Sequence, residues 1–529
     1  MAEAISAAPS HSNRLFAWRR SAPTALLAAS VVGPLLVLLP LGFTVYEAAH
    51  ASGSEIIDLL LRPLVGELLA NTVSLALATV AAAAVIGTGA AWLVERTDLP
   101  GRRIWGVLAA VPLAVPPFVS SYAWVSLSPA LQDFAGACLV VSCSYFPLVY
   151  LPVAAALRGL DPALEETARS LGEGSWGCFL RVVLPQLRPA LFGGMLLVAL
   201  NVLVEFGAFA LLRFRTFTTE LYAEYRTGFN GPGASLLAVI LLLLCLTCLF
   251  AEIKVRGSAG YARLGRGVRS QPSRQPLGWF RLPAFLAFVF LAATTLGMPL
   301  GMIAYWLTQH SAAAISPVEV SAAALISSTL SSLWLGLAGA AVTVTLAMPL
   351  GFLVVRYPGR LVTLIERTAY LAQGVPGIVV ALALITLTVR AAYPLYQSAV
   401  LLIGAYAIVF LPLALVSVRA ALAQAQRGLE EAGRALGLGW AAVLWRVLLP
   451  LTGPGLGAAA ALVFVSIVTE LTATLLLAPI GTQTLAIQVW ANTSTLAFAA
   501  AAPYAALMLV LSFLSTWLLA SRFAVTRFL

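Results

Sequence analysis

Charged residues are scarce in this sequence, and lysine is nearly absent. Only 10% of the 529 residues are Asp, Glu, Lys or Arg, whereas soluble domains carry roughly 25%. The single lysine, Lys254, lies in Glu252-Ile-Lys-Val. A P-loop needs a lysine directly after its glycines to reach the phosphates, so the sequence predicts no ATP-hydrolysing site. We expect that the chain is not an enzyme by itself and that it carries no covalently bound cofactor.

Histidine and cysteine are few, and the sequence shows no histidine metal cluster. The three histidines are far apart in the chain: His11, His50 and His310. The five cysteines fall in or beside apolar segments: Cys138, Cys143, Cys178, Cys245 and Cys248. Cys245-x-x-Cys248 is surrounded by leucines in the middle of a predicted helix, which favours small buried side chains over a metal or redox pair.

Long apolar runs make up most of the chain. Hydrophobic residues account for 61% of it, and several runs exceed the roughly 20 residues that a helix needs to cross a bilayer. The sequence predicts an all-α membrane protein with twelve transmembrane helices. The first run has no small-residue cleavage site after it and is interpreted as a retained span. The predicted spans are 22–46, 71–94, 104–127, 137–157, 190–212, 233–252, 283–307, 328–355, 364–388, 397–418, 453–477 and 499–521.

A polar loop between apolar runs occurs twice. Leu164-Glu-Glu-Thr-Ala-Arg-Ser-Leu-Gly172 recurs as Leu429-Glu-Glu-Ala-Gly-Arg-Ala-Leu-Gly437, and Arg-Val-x-Leu-Pro follows each copy at the same distance. Over 165–189 and 430–454, 11 of 25 positions are identical at a constant offset of 265 residues. Matched glutamate, glycine and proline residues do not arise by chance in an apolar chain, so the sequence is an internal duplication.

The duplication and the arginines together predict the topology. We expect a first repeat at 1–252, a basic linker at 253–282 and a second repeat at 283–529. With the N-terminus in the cytoplasm, all but five of the 31 Lys and Arg residues face the cytoplasm. The exceptions are Arg62, Arg213, Arg215, Arg226 and Arg390. Both termini and both repeated loops (159–189 and 419–454) then lie inside, and the net charge of +10 reflects topology, not nucleic-acid binding. Six spans per repeat make the two repeats parallel.

Each repeated loop has the pattern of two short helices joined by a turn. Asp161-Pro162 is a good helix start, and Gly172 is a good helix end. A second amphipathic stretch follows, with Trp176, Phe179 and Val183 on one face, and ends at Pro185. A solvated loop with an interfacial helix is the alternative, but retention of the pattern in two diverged copies favours docking to a symmetric partner.

Glu-Glu-x-Ala/Gly-Arg-x-Leu-Gly followed by Arg-Val-x-Leu-Pro resembles the coupling loop of type I ABC importer permeases. The resemblance covers both copies and most spans. It implies two copies of a cytoplasmic ABC ATPase subunit, which would use ATP, and a periplasmic or lipid-anchored substrate-binding protein, in a bacterial plasma (inner) membrane. It also implies that the ATPase subunits contact Glu165, Glu166, Gly172, Glu430, Glu431 and Gly437. Thr167 and Gly433 depart from the usual alanines, so the two docking sites are expected to differ.

Two glutamates fall inside predicted spans at the same offset. Glu205 and Glu470 are 265 residues apart, and the sequence places each about 12 Å inside the outer end of its helix. A buried charge in a membrane is by default a functional candidate. A brace for a bent helix is the structural alternative. We expect the two carboxylates to face the substrate path as transient metal ligands, with Thr469 and Thr472 as weak donors.

The surroundings of these glutamates resemble ferric iron importers. Glu205-Phe-Gly-Ala-Phe-Ala-Leu-Leu-Arg213 and Thr469-Glu-Leu-Thr-Ala-Thr-Leu-Leu476 carry the resemblance, which implies Fe3+ as the substrate. Carboxylates suit a hard cation, although permeases for thiamine and for aminophosphonates are related. A proton-coupled secondary transporter that uses Glu205 and Glu470 is the competing class, but it gives no reason for the duplicated loop.

Overall fold

The computed structural model describes residues 23–50, 57, 61–160, 162–228, 231–257, 274–309 and 321–523. Throughout these residues the elements are helices, and ten are long and apolar enough to cross a membrane. Two further pairs of helices qualify when each bent pair is counted as one span. The prediction of an all-α membrane protein with twelve spans is therefore confirmed, with two of the twelve broken.

The spans are numbered 1 to 12 in chain order. Those of the first half are Thr24–Ala49, Pro63–Arg96, Arg102–Ala114 with Pro117–Leu127, Phe134–Gly159, Phe179–Val204 and Gly231–Ala251. Those of the second half are Gly278–Thr308, Ala322–Arg356, Arg360–Gly374 with Gly377–Ala391, Ala399–Gln424, Leu444–Val468 and Phe498–Leu518. The helix of span 6 continues to Gly257, into the predicted linker.

Spans 3 and 9, predicted at 104–127 and 364–388, are each bent sharply in the middle. Their two limbs meet at 92° and 102°, and Pro116 and Pro376 occupy the bends. A proline lacks an N–H and forces the residue before it out of the helical region. Val115 and Val375 are accordingly extended, with ψ of 112° and 115°. Each second limb therefore starts afresh as a separate helix inside the membrane protein.

Spans 5 and 11 also differ from the prediction at both ends. The short helix expected to end at Pro185 runs on into span 5, because a π-helical turn at Phe179–Val183 joins the two. The same turn occurs at Leu444–Leu448 before Pro450. A wider turn accommodates the hydrogen bond that the proline cannot make. At the far end each helix stops early, at Val204 and at Val468.

The two halves are interlocked through their first spans. Span 1 packs on spans 8, 9 and 10 of the other half, and span 7 packs on span 3. A Cβ at Gly33 of span 1 would lie 3.0 Å from Leu411 Cδ2 of span 10. Trp105 of span 3 meets Phe285 of span 7 edge-to-face, with ring centroids 5.5 Å apart. The predicted repeats are consecutive in sequence, but each covers part of the other.

Candidate functional sites: two repeated loops and a broken-helix junction

Each repeated loop forms a short helix that ends at its glycine. The helices are Pro162–Ser170 and Arg427–Ala435. Gly172 and Gly437 have φ of +91° and +86°, a region that side chains other than glycine enter at a cost. The N–H of Glu173 donates to Ala168 O at 3.1 Å, as Leu438 N–H does to Gly433 O. This pattern closes a helix C-terminus, so the predicted helix end at Gly172 is confirmed, and Gly437 repeats it. Asp161, the predicted cap, lies outside the described residues.

The first glutamate of each pair faces into the protein. Glu165 is 8% exposed, and its Oε1 lies 2.9 Å from Nη2 of Arg96, which is the last residue of span 2. The same guanidinium donates to Leu157 O near the end of span 4, at 3.1 Å. Arg96 thus joins the loop helix to two spans. We expected Glu165 on the docking surface, but the structure turns its carboxylate inward.

The second loop repeats this arrangement. Arg356, the last residue of span 8, donates from Nε to Glu430 Oε1 at 2.8 Å and from Nη2 to Ala425 O at 3.0 Å. Glu430 is 8% exposed. Opposite charges buried together need partners on both sides, and removal of one leaves the other buried and unpaired. These two ion pairs therefore fix the position of each loop helix relative to the spans.

The surface of each loop presents one glutamate and one leucine. Glu166 and Glu431 are exposed, and Leu171 and Leu436, just before the glycines, are 80% and 84% exposed. Sequence reasoning missed the leucines, although both copies of the motif contain them. An exposed leucine at the tip of a rigid loop is a natural contact for a partner protein.

Glu205 and Glu470 lie at the point where spans 5 and 11 end, not inside a continuous helix. Short helices at Gly207–Leu211 and Thr472–Leu477 follow them. The predicted position 12 Å within a helix is therefore wrong. Glu205 Oε1 accepts the N–H of Ala208, and Glu470 Oε1 accepts the N–H of Ala473, both at 2.9 Å. Each carboxylate caps the positive end of the helix that follows, which offsets part of the cost of placing it in the membrane.

Hydroxyl groups satisfy the polar backbone at the two breaks. Thr218 Oγ1 donates to Glu205 O at 2.6 Å, and Thr474 Oγ1 donates to Glu470 O at 2.8 Å. Thr469, a predicted weak donor to the substrate, donates to Val465 O of its own helix at 2.9 Å. Thr472 is partly exposed beside the bend of span 9. Sequence reasoning missed Thr218 and Thr474 because it treated the helices as unbroken.

A tyrosine distinguishes the first break from the second. Tyr145 of span 4 donates to Glu205 Oε2 at 2.8 Å. The position 265 residues later is Phe410, which has no hydroxyl. In the second half, Tyr406 pairs with Thr474 at 2.7 Å instead. The two glutamates therefore occupy equivalent positions but have different partners.

The breaks and the bends meet where the two halves contact each other. A Cβ at Gly207 would lie 2.9 Å from both Leu471 Cδ2 and Phe118 Cβ. One at Gly377, at the bend of span 9, would lie 3.3 Å from Glu470 Oε1. Four discontinuous helices thus converge at the repeat interface. In transporters such junctions hold the substrate path, because non-helical backbone within a membrane is tolerated where it lines a cavity or is buried in protein.

Within the described ranges, no group of three or more His, Cys, Asp or Glu side chains could enclose a metal ion. The described cysteines are all free. Two carboxylates with nearby hydroxyls could supply oxygen donors to a passing hard cation, but not a closed coordination shell.

Comparison with known proteins agrees with this architecture. Residues 83–253 and 343–521 each match the family "Binding-protein-dependent transport system inner membrane component". The chain is 36% identical over 492 residues to the Fe(3+)-transport system permease protein FbpB 2 of Haemophilus influenzae, covering 92% of this chain and 96% of that protein.

Single-repeat relatives match one half. The sulfate transport system permease protein CysT of Escherichia coli is 30% identical over 239 residues, 41% of this chain and 86% of that protein. The molybdenum transport system permease protein ModB of Escherichia coli is 29% identical over 182 residues, 30% of this chain and 79% of that protein. With two copies of the family's domain and a full-length relative, this chain belongs to the binding-protein-dependent inner membrane permeases, as a fused two-repeat, multi-pass member.

Proposed function

We propose that this chain is the membrane subunit of an ATP-driven importer that moves ferric iron, delivered by an outer binding protein, into the cytoplasm. The observation that carries the proposal is the pair of repeated loops. Each is held to the spans by a buried ion pair, Arg96–Glu165 or Arg356–Glu430, and each presents the same exposed glutamate and leucine. The full-length relative, an Fe(3+)-transport permease, supports the substrate.

The two loops dock on two cytoplasmic ATPase subunits. Glu166 with Leu171, and Glu431 with Leu436, form the contact surfaces. Glu165 and Glu430 act instead as positioning residues, because their carboxylates are engaged by Arg96 and Arg356. Movement of the ATPase subunits then reaches spans 2, 4, 8 and 10 through the two arginines.

The experiment replaces exposed side chains of the two loops and leaves the buried arginine–glutamate ion pairs unchanged. Glu166→Ala with Glu431→Ala, or Leu171→Ser with Leu436→Ser, should lower transport and ATPase copurification together while the spans stay folded. The matched control is Ser170→Ala, an exposed residue on the same helix. Wild-type iron uptake per ATP hydrolysed in both double variants would show that the loops do not couple.

The orientation follows from the loops and is tested by labelling. In a cysteine-free background, a cysteine at Ser170 should react only with reagents in the cytoplasm. Cysteines at Thr227 and Ser494 should react only from outside, because these exposed residues lie at the opposite end of the spans. Reaction of Ser170→Cys from outside would reverse the topology. Ser258 and Ser273 of the linker, which the predicted topology also places in the cytoplasm, lie outside the described residues.

The two glutamates bind the substrate transiently, as carboxylate ligands of a hard cation. Gln is isosteric with Glu and its Oε1 can still accept the Ala208 or Ala473 N–H, so Glu205→Gln with Glu470→Gln removes the charge and keeps the helix caps. Uptake of ferric iron in proteoliposomes should be lost, while the complex assembles and hydrolyses ATP. Wild-type uptake in this variant would reduce both residues to helix caps. ATP-independent, proton-driven uptake would favour the secondary transporter, and uptake of thiamine or an aminophosphonate in place of iron would change the substrate.

A further inference from the structure

The loops that follow the two broken helices differ in charge although they occupy equivalent positions. The first-half loop contains Arg213 and Arg215, and both side chains are exposed. The positions 265 residues later are Ala478 and Ile480. Ile480 is 86% exposed. One loop therefore offers positive charge to the outside, and the other offers an apolar side chain.

The contrast extends to the helix after each loop. Phe217–Arg226 follows the first loop and Leu485–Ser494 follows the second. The second segment, 478–494, contains no charged residue. In the first helix the exposed charge is Arg226, whereas Glu220 and Glu224 are partly buried and Glu224 pairs with Arg62 at 3.4 Å. Glu67 is the exposed acid near this helix. The fully exposed charged side chains on 212–227 are thus arginines, of which Arg215 lies near the partly buried Glu220.

The first loop holds its arginines in a fixed position. Arg213 has a φ of +53°, which a side chain other than glycine adopts at a cost. Asn71 donates to Arg215 O at 3.2 Å, and Gln132 donates to Leu211 O at 3.1 Å. Phe214 N–H bonds Phe209 O at 2.9 Å. These contacts anchor the backbone on span 2 and on the connection between spans 3 and 4, so the arginine side chains extend from a rigid base.

Both loops adjoin the junction of the halves. Phe206 packs against Trp490 across the halves, with ring centroids 5.5 Å apart and the rings tilted by 42°, and each loop begins within eleven residues of its glutamate. A single asymmetric partner seated over a pseudo-two-fold axis must place a different part of its surface on each loop. Loops of unlike chemistry then permit one orientation and penalise the reverse.

We propose that the outer binding protein docks in one orientation, with an acidic lobe on Arg213 and Arg215 and an uncharged, apolar surface on Ile480. This proposal rests on the proposed function, because it takes the binding protein as the partner and this end of the spans as the outer one. It adds which half receives which lobe.

The experiment measures association of the ferric-iron-loaded binding protein of the same system with the permease–ATPase complex in nanodiscs. Arg213→Glu with Arg215→Glu should slow association about tenfold at low salt and abolish its decrease with added salt, because the attraction that steers the encounter is reversed. Arg215→Glu alone, at an ordinary backbone position, should give a smaller effect in the same direction. Unchanged ATPase activity confirms folding.

A transplanted variant tests the orientation. Arg213→Ala and Arg215→Ile with Ala478→Arg and Ile480→Arg exchanges the two loop surfaces. Crosslinks from a photoreactive residue at the exposed position 227 to the binding protein should move from its acidic lobe to its other lobe. Wild-type association of Arg213→Glu/Arg215→Glu at every salt concentration, or crosslinks to both lobes without preference in the wild type, would overturn the proposal. If the unaltered complex bound no binding protein, the proposed function itself would fail.

Discussion

The two halves have the same contacts at their repeated loops and different contacts at their broken helices. Both have an arginine at the end of a long span that holds an inward glutamate, and both have a left-handed glycine after the loop helix. At the broken helices, by contrast, Tyr145 reaches Glu205, whereas the corresponding Phe410 cannot reach Glu470. The contacts of the repeated loops are therefore the same in both halves, whereas the contacts of Glu205 and Glu470 differ.

The largest expected effect separates the two glutamates. Glu205→Gln and Glu470→Gln, made singly, should each reduce ferric uptake by at least tenfold, with Glu470→Gln the more severe because no tyrosine hydroxyl is bonded to Glu470 among the described contacts. Radioactive iron uptake in proteoliposomes measures both. Equal losses would mean that the different partners of Glu205 and Glu470 have no effect on uptake.

The next effect comes from exchange of the tyrosine between halves. Tyr145→Phe makes the first break resemble the second, and Phe410→Tyr makes the reverse change. A hydrogen bond to a charged group contributes about 1.5–3 kcal/mol, so Tyr145→Phe should lower the unfolding temperature of the complex and alter uptake. Adding Phe410→Tyr should restore part of the uptake if the hydroxyl serves both carboxylates. No change in either assay would make Tyr145 a packing residue.

Removing the buried ion pairs Arg96–Glu165 and Arg356–Glu430 tests the feature that the two halves share. Arg96→Met and Arg356→Met should each destabilise by about 3–5 kcal/mol, since a buried carboxylate loses its partner. Arg96→Met/Glu165→Leu and Arg356→Met/Glu430→Leu should regain stability but hydrolyse ATP with less iron transported, because the link to the spans is absent. Full coupling in both double variants would show that the ion pairs only support folding.

The loop glycines should be equivalent between halves. Gly172→Ala and Gly437→Ala meet no atom within 4 Å, so the cost is the left-handed backbone alone, about 1–2 kcal/mol. ATPase copurification and the uptake-to-hydrolysis ratio should fall equally for the two variants. A strong effect at one glycine and none at the other would contradict equivalent docking.

The smallest effect is confined to the first half. Asp98 accepts the N–H of Leu277, and Gln275 N–H donates to Arg96 O, both at 2.9 Å. The end of the predicted linker is therefore attached beside the Arg96–Glu165 ion pair. Asp98→Ala should speed amide hydrogen exchange at Leu277 about tenfold, as expected for loss of one hydrogen bond. Exchange at the second-half loop should stay unchanged and serves as the control.

The spans, the duplicated loops and the helix end at Gly172 could be predicted from the sequence. They are local properties of the chain, visible as apolar runs and matched motifs. Sequence reasoning failed at Glu205 and Glu470 because a helix break in an apolar run leaves no composition signal. The positions of Pro116 and Pro376 are visible in the sequence, but the bends of 92° and 102° depend on how each limb packs.

Contacts between distant elements were beyond sequence reasoning. Nothing near Arg96 in the chain indicates that its guanidinium meets Glu165, and both glutamates of the pair looked alike on a helical period. A usable signal was present in the duplication, since an arginine ends an apolar run at both 96 and 356. The hydroxyls of Tyr145 and Thr474 carried no such signal, because their equivalents in the other half are Phe410 and Phe209.

The crossed packing of spans 1 and 7 has a consequence for how the protein is made. Span 1 ends at Ala49, but its partner in the other half, span 8, is complete only at Arg356. At about 5–20 residues per second, the ribosome needs roughly 15–60 s to synthesise the intervening chain. During that time the face of span 1 that will meet span 8 remains in contact with lipid or with the insertion machinery. Fusion of the repeats in one polypeptide keeps the late partner tethered nearby, so that closing the structure is an intramolecular step that does not depend on protein concentration.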